Sequence, residues 1–376
     1  MKDCLIVGGG ISALLAADQL RKAGFDVLLL DRARSVGGRM ATRRLALSSP
    51  EPNSTDTIVS FDFGAQFFTA RFSEFEAYVQ DWLAAGVAVV WHRGADGRHP
   101  RYRGVPDMKS IPEHLAAPLF EAGVIQLEER ARSIHRLDAS ETTAHTDASA
   151  LKPSAMSAPR PQTTRGGWRL ACESGARYSA RSVLLTAPAP QCIPLLEESA
   201  SLITPGIRSD LEARFDYRPC FALMLLYDSG PGAPELPPPG YANNTEHPEL
   251  TGPAIRWLAD NRRKGVLPEF RALTVHATAD FSAAELESDP RRVYDLLTES
   301  CPILRGARPR EWRLHRWLYS EPRRTTNKRP EPAFYTVSRK PPLLLAGDAY
   351  GGGRVEGAAI SGLAAANALR EHLDSV

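Results

Sequence analysis

Short unbroken apolar runs and helical periodicity mark both ends of this chain, while shorter alternating runs fill its middle. Residues 3–7 (Asp-Cys-Leu-Ile-Val) predict a buried strand, and Gly8-Gly9-Gly10 turns the chain. Apolar positions at Ile11, Leu14, Leu15, Ala17 and Leu20 predict a helix over 11–23 that stops at Gly24. Phe25 to Leu30 predicts a second strand ending at Asp31. Strand, helix and strand in so short a span make a βαβ unit with a right-handed crossover.

Further along, Phe75, Tyr78, Val79 and Leu83 predict an amphipathic helix over 72–85. Gly175, with Trp168 to Cys172 before it and Tyr178 after it, signals a hairpin. Ser182 to Thr186 predicts a buried strand, stopped by Ala187-Pro188-Ala189-Pro190. Between 205 and 335 the runs Phe221–Tyr227, Ala254–Leu258 and Ala272–Ala277 predict a separate sheet. There the proline-rich stretch 231–239 reads as a loop and 290–301 as a helix. Pro342 to Ala346 predicts a third long strand, followed by Gly347-Asp348, a glycine loop and a helix over 357–372. Segments 47–57 and 145–166, poor in large apolar groups, read as exposed loops. The first and last segments therefore belong to one parallel sheet, with the middle of the chain inserted.

Length changes this picture little: 376 residues suit two intertwined domains. A hydrophobic share of 43% with 24% charged residues argues against disorder. A net charge of +2 gives no field that favours nucleic acid. The short basic clusters Arg262-Arg263-Lys264 and Arg323-Arg324 read as solvated surface. Cys4, Cys172, Cys192, Cys220 and Cys301 are scattered and make no C-x-x-C, which predicts free thiols rather than disulfides or zinc ligands. No apolar run reaches membrane-spanning length, and the opening residues are too short for a secretory signal. A cytoplasmic protein is expected, and the glycosylation patterns at Asn53 and Asn243 read as chance matches.

Three motifs carry chemistry. In Gly8-x-Gly10-x-x-Ala13, Gly8 permits the tight turn, Gly10 lets backbone approach a pyrophosphate, and Ala13 lets helix and strand pack closely. The helix N-terminus, with Ile11 and Ser12, supplies free N–H groups to phosphate, and Asp31 stands where a carboxylate accepts ribose hydroxyls. The second motif, Val36-Gly37-Gly38-Arg39-Met40, suits a loop that hugs a dinucleotide, with Arg39 reaching phosphate; Arg32 lies just before it. That loop shifts the expected cofactor from NAD to FAD. The third joins Gly347-Asp348 to Gly351-Gly352-Gly353-Arg354-Val355-Glu356-Gly357. An acid there can bind a ribityl hydroxyl, and the helix N-terminus can stabilise negative charge on a reduced flavin.

Together these motifs resemble the amine-oxidase-type FAD proteins, and one branch is closer. Asp62-Phe63-Gly64-Ala65-Gln66-Phe67-Phe68-Thr69-Ala70-Arg71 resembles a D-x-G-A-Q-Y-F-T-A-R segment of the renalase family. Trp257 to Arg262, Val275 to Thr278, His315 to Tyr319, and Gly353 to Ala358 with Ser361-Gly362 are similar to later segments of that family. The resemblance implies a flavin oxidase of dihydronicotinamide dinucleotides whose hydride sits at the 2- or 6-position of the ring. The resemblance further implies that hydride would pass to flavin N5 and electrons to O2, giving H2O2. It also implies that Ala13, Asp31, Arg32, Arg39, Gln66, Ile134, Asp348 and Val355 line FAD, and that Phe67 to Arg71, Phe221 and His276 face the substrate. Gly8, Gly10, Ile11, Ser12, Gly38, Met40, Gly64, Ala65, Thr186, Gly347, Arg354 and Gly357 complete the expected cofactor set. With no cysteine after Cys301, the flavin is expected to be non-covalent.

The expected fold is α/β: a three-layer FAD-binding Rossmann-type domain (1–60, 121–204 and 336–376) with an inserted mixed-sheet α+β substrate domain (61–120 and 205–335), and the active site between them. No metal-ligand spacing, paired carboxylates or Ser/His/Asp set appears, which agrees with hydride transfer, a step that needs orientation more than a protein base. His276 reads as a packed, hydrogen-bonded residue. The expected partners are a small dinucleotide and O2, with no nucleic acid or membrane, in a monomer or weak homodimer. Two alternatives stay open: an amine oxidase of the same superfamily, disfavoured because no lysine stands in a site motif, and a flavoprotein redox sensor without turnover.

Overall fold

The computed structural model describes residues 1–47, 57–93, 99–138, 166–198, 202–214, 216–228, 230, 232–266, 270–323 and 331–375. The two expected loops, apart from residues 47, 57 and 166, lie outside the described residues, as do Asn53 and Arg324. The chain forms two compact units, one of Met1–Gly38, Pro112–Asp216 and Pro322–Val376, the other of Arg39–Ile111 and Tyr217–Glu321. The second unit thus begins at Arg39, well before the expected Phe61.

The first unit is built on an eight-stranded sheet. Its central strand β1 (Lys2–Val7) lies parallel to β2 (Val27–Leu30) on one side and to Arg177–Leu185 on the other, and Pro342–Leu345 runs parallel beyond that. Leu28, Leu29 and Leu30 are all buried, as near-continuous apolar strands must be in a parallel sheet covered on both faces. The hairpin around Gly175 joins Gly167–Cys172 to Arg177–Leu185, with Gly175 at φ +90°. Helix α1 (Ile11–Lys22) ends before Gly24, whose φ of +86° lets the chain turn out of the helix. Its side chains are buried on almost every face. The C-terminal helix, Arg354–Asp374, packs on it so closely that a Cβ on Gly362 would strike the Ser12 backbone, and Gln19 Nε2 donates to Asn367 Oδ1 at 2.6 Å.

That C-terminal helix begins three residues earlier than expected. Gly353, at φ +85°, supplies the bend before Arg354, so Gly357 is not the helix start. Gly357 instead packs against Gly351, where a side chain would collide with backbone. The strand ending at Leu185 does stop at the Ala-Pro pair, but Pro190 then opens a helix, Ala189–Glu197, where a missing N–H costs nothing.

The second unit carries a five-stranded sheet in the order Tyr241–Asn243, Ile255–Asp260, Arg271–Ala277, Tyr217–Tyr227, Glu311–Pro322. Strand alternation sends its side chains to two cores. Phe221, Leu223, Leu225 and Tyr227 face the helix Pro290–Ser300 through Val293 and Leu297. Ala222, Met224 and Leu226 face Val59 and Phe61 from the hairpin Thr42–Leu47/Thr57–Asp62 and Phe63 just after it. The amphipathic helix runs Ser73–Ala84 and buries Phe75, Val79 and Trp82, with Tyr78 and Leu83 on its flanks. No described helix is long and apolar enough to cross a membrane.

Candidate functional site

In the first unit, the glycine turn sits at the carboxyl ends of the parallel strands. Gly8 donates its N–H to Leu30 O at 2.8 Å and has φ +119°. Thr186 Oγ1 donates to Val7 O at 3.0 Å and fills the space that a Gly8 side chain would need. Beyond Gly10 the reverse holds: a Cβ there would meet nothing within 4 Å. Gly10 is the N-cap of α1 and makes no side-chain cap, so the first-turn N–H groups stay open. Ser12 Oγ beside them is buried without a hydrogen-bond partner. Asp31, at the end of β2, accepts the Ala33 N–H at 2.6 Å through Oδ1 and turns Oδ2 toward Gly9. The Gly37 N–H bonds Gly9 O at 2.8 Å and holds the Val36–Gly38 loop against the turn.

Asp348, 5% exposed, opens a short helix at the end of Pro342–Leu345. Its neighbour Gly347 donates to Ser361 Oγ at 2.9 Å. Arg354 holds a positive φ of +67° at the uncapped N-terminus of the C-terminal helix, and its side chain is exposed. Val355 and Gly357 are buried, Arg32 is exposed, and Ile134 is enclosed in a strand paired with Gly167–Cys172. Open space above Gly10, an orphaned hydroxyl, uncapped N–H groups and an acid at the strand end fit the pyrophosphate and ribose of a dinucleotide. Ile134 offers no accessible surface toward such a ligand.

In the second unit, Gly64 lies so close to Arg39 O that a side chain would not fit, and Ala65 N–H bonds that carbonyl at 2.8 Å. Arg39 itself is partly committed to the chain. Its Nη1 donates to Tyr319 O (3.3 Å) and Ser320 O (3.2 Å), and its guanidinium lies over Tyr217. The bidentate phosphate contact expected of it is therefore not preformed. Met40 is buried. Gln66 is likewise occupied at both ends: Nε2 donates to Asp62 O and Gly64 O, and Oε1 accepts from Lys264 Nζ at 3.3 Å.

Lys264 corrects the sequence reading. Arg262 and Arg263 are exposed as expected, but Lys264 is 1% exposed and pairs with Asp62 Oδ2 at 2.7 Å. Asp62 Oδ1 accepts from the Thr42 hydroxyl (2.7 Å) and the Met108 N–H (3.0 Å). Burial pushes the Lys264 ammonium below its usual range, and Asp62 opposes that shift.

Two of the expected substrate-facing residues lie in cores. Ala222 is directly opposite His276 across the strand pair, so Phe221 must point to the other face, where it is 3% exposed among Leu223 and Leu225. Phe68 packs on Phe75, Trp82 and Tyr102. His276 is hydrogen-bonded as expected: Nε2 donates to Phe63 O at 3.0 Å, and burial holds its pKa down to about 4, so the ring is neutral. Trp317 Nε1 donates to the same carbonyl at 3.0 Å, and the Trp317 ring stacks on Phe63. Thr69 is half-buried and Arg71 is exposed.

Phe67 instead joins a ring cluster with Trp91, Trp257 and Tyr241. Arg101 lies against this cluster, and Tyr241 donates to Glu246 at 2.6 Å. Of these, only Phe67 and Trp257 stand in segments that the sequence marks out. Trp91, Arg101, Tyr241 and Lys264 come from separate stretches with no motif of their own. No metal-holding group of His, Cys, Asp or Glu occurs among the described residues, and all five cysteines are free and buried.

Comparison with known proteins bears on both units. Residues 6–82 match an NAD(P)-binding Rossmann-like domain, and residues 71–370 match the family described as flavin containing amine oxidoreductase. Renalase of Mus musculus is 25% identical over 392 aligned residues, covering 99% of this chain and 100% of that protein. Cyclohexylamine oxidase from Brevibacterium oxydans IH-35A has a TM-score of 0.59 at 13% identity, with 99% of each chain covered. An engineered putrescine oxidase has a TM-score of 0.59 at 11% identity, again with 99% of each covered. At these identities the two oxidases share the fold.

Proposed function

The chain belongs to the flavin containing amine oxidoreductase family and is an FAD-dependent oxidoreductase, and on that premise we propose that it oxidises dihydronicotinamide dinucleotides carrying their hydride at the 2- or 6-position. The observation that carries this reading is the whole-length likeness to renalase, set against amine oxidases that are alike in fold only. The sequence segment from Asp62 to Arg71 supports the same choice.

FAD, when bound, would supply a hydride acceptor and a route for the electrons to O2, giving H2O2. The chain's part is to hold and to orient. The α1 N-terminus, with Gly8, Gly10 and Ser12, takes the pyrophosphate, and Asp31 takes ribose hydroxyls. Asp348 takes a ribityl hydroxyl, and the N-terminus at Arg354 favours negative charge on the pyrimidine ring. Within the second unit, Phe67, Thr69 and Arg71 are the side chains assigned to the substrate, Phe67 and Thr69 half-buried and Arg71 exposed. No side chain has to remove a proton from carbon. His276, neutral and engaged at Nε2, is suited to fix Phe63 rather than to act as a base.

Aerobic turnover tests the proposal. With 2- or 6-dihydroNAD(P) the protein should form NAD(P)+ and H2O2 one for one. Peroxide formed from amines but not from either isomer would replace this reading with amine oxidation.

A further inference from the structure

Phe67, Trp91, Tyr241 and Trp257 form one connected set of rings in the second unit. Tyr241 and Trp257 stack 4.7 Å apart with their planes 1° from parallel, and Phe67 and Trp91 lie 5.3 and 6.4 Å from Trp257. His92 also stacks on Tyr241, 4.7 Å away, and the electron-rich faces that the cluster leaves open are a general receptor for an ammonium group. Here the chain's own cations already stand on it. The Arg101 guanidinium carbon is 4.8 Å from the Phe67 ring centre, 5.2 Å from Tyr241 and 5.7 Å from Trp257, and Lys264 Nζ is 5.5 Å from Trp91.

Hydrogen bonds alone do not hold Arg101 there. Its Nη1 is buried with no hydrogen-bond partner, and its Nη2 reaches Glu246 only at 3.7 Å. Its guanidinium also contacts three rings, Tyr241 among them, which ties the position of the charge to the shape of the cluster.

We propose that Arg101 is a specificity-determining residue, whose guanidinium occupies the ring faces that a protonated amine would need and leaves the cluster selective for uncharged planar groups such as a nicotinamide carboxamide. The inference rests on the proposed function in one respect, the placing of Phe67 at the substrate. A second cation about 6 Å from Arg101 is repelled by roughly a hundredfold in affinity at an effective dielectric of ~20, and Glu246 reduces this toward tenfold.

The test uses the flavin-loaded full chain and two matched probes, benzylamine and nicotinamide, with binding read by titration calorimetry. Arg101→Met should tighten benzylamine by about tenfold or more and change nicotinamide by less than about threefold. Arg101→Lys should restore the exclusion. The gain should persist when Glu246→Gln is added, because it comes from freed ring faces rather than from a freed carboxylate. If Arg101→Met does not fold, Arg101→Gln serves with the same expectation. Benzylamine binding unchanged in the neutral variant, or equally tight in Arg101→Lys, or lost on adding Glu246→Gln, would overturn the proposal. These are binding measurements, so their outcome stands whether or not dihydronicotinamide isomers reduce the flavin.

Discussion

Lys264 and Asp62 offer the sharpest test of what holds the second unit together. Their side chains are 0% and 1% exposed, and their charges meet at 2.7 Å. Removing one partner of such a pair leaves an uncompensated charge in a dry site and costs about 3–5 kcal/mol. In Lys264→Met the stem is still packed, and Asp62 Oδ1 keeps the Thr42 hydroxyl and the Met108 N–H, so the loss should lie near the lower end, about 3 kcal/mol. For a unit of this size that is a fall of roughly 6–12 °C in Tm. Asp62→Asn should cost more, about 4–5 kcal/mol, because the ammonium keeps only Gln66 Oε1 among its hydrogen-bond acceptors. The double variant should recover much of the sum, as neutralising both members removes the stranded charge. Thermal unfolding of the flavin-loaded proteins measures all three. A Lys264→Met protein within about 1 kcal/mol of the parent would refute the reasoning.

Other outcomes follow from single sites. Gly10→Ala should leave the Tm of the flavin-free protein nearly unchanged, since its Cβ meets no atom, yet strip FAD on purification; retention of full flavin would contradict the cradle assignment. His276 takes its proton near pH 6.5 when unfolded but only near 4 when folded, so between these values the unfolded chain binds more protons. Stability should therefore be full above pH 6.5 and fall as pH drops toward 4, and His276→Gln should make that limb shallower in urea titrations, leaving the part contributed by His315, whose pKa is also held down to about 4 by burial. Burial raises the thiols of Cys4, Cys172, Cys192 and Cys220 to about 12 and that of Cys301 to about 11, so a thiol reagent at pH 8 should react with all five only after unfolding.

What the sequence makes legible here is local. The first strand, the glycine turn, α1 and Asp31 lie within one short stretch, so their spacing alone predicts the observed βαβ geometry. The strand before Gly347 is legible for the same reason. Parity defeats the reading of Phe221: a one-residue offset decides which face a strand residue takes, and only the observed register with His276 supplies it. Lys264 misleads because two exposed arginines precede it, while its partner Asp62 is some two hundred residues away in sequence. Arg101 and Tyr241 carry no motif at all, and only the tertiary fold brings them onto Phe67 and Trp257. The helix start at Arg354 is displaced because Gly357 serves close packing against Gly351 rather than ending a loop.

The measurement that bears most directly on the proposed activity is anaerobic reduction of the bound flavin. The flavin-loaded protein is mixed without oxygen with 2- and 6-dihydroNAD(P), with ordinary NADH, and with a panel of amines, and the flavin absorbance is followed. Rapid bleaching by the isomers, with slow or no bleaching by NADH and the amines, is the predicted result. Bleaching by an amine while both isomers leave the flavin oxidised would contradict the account.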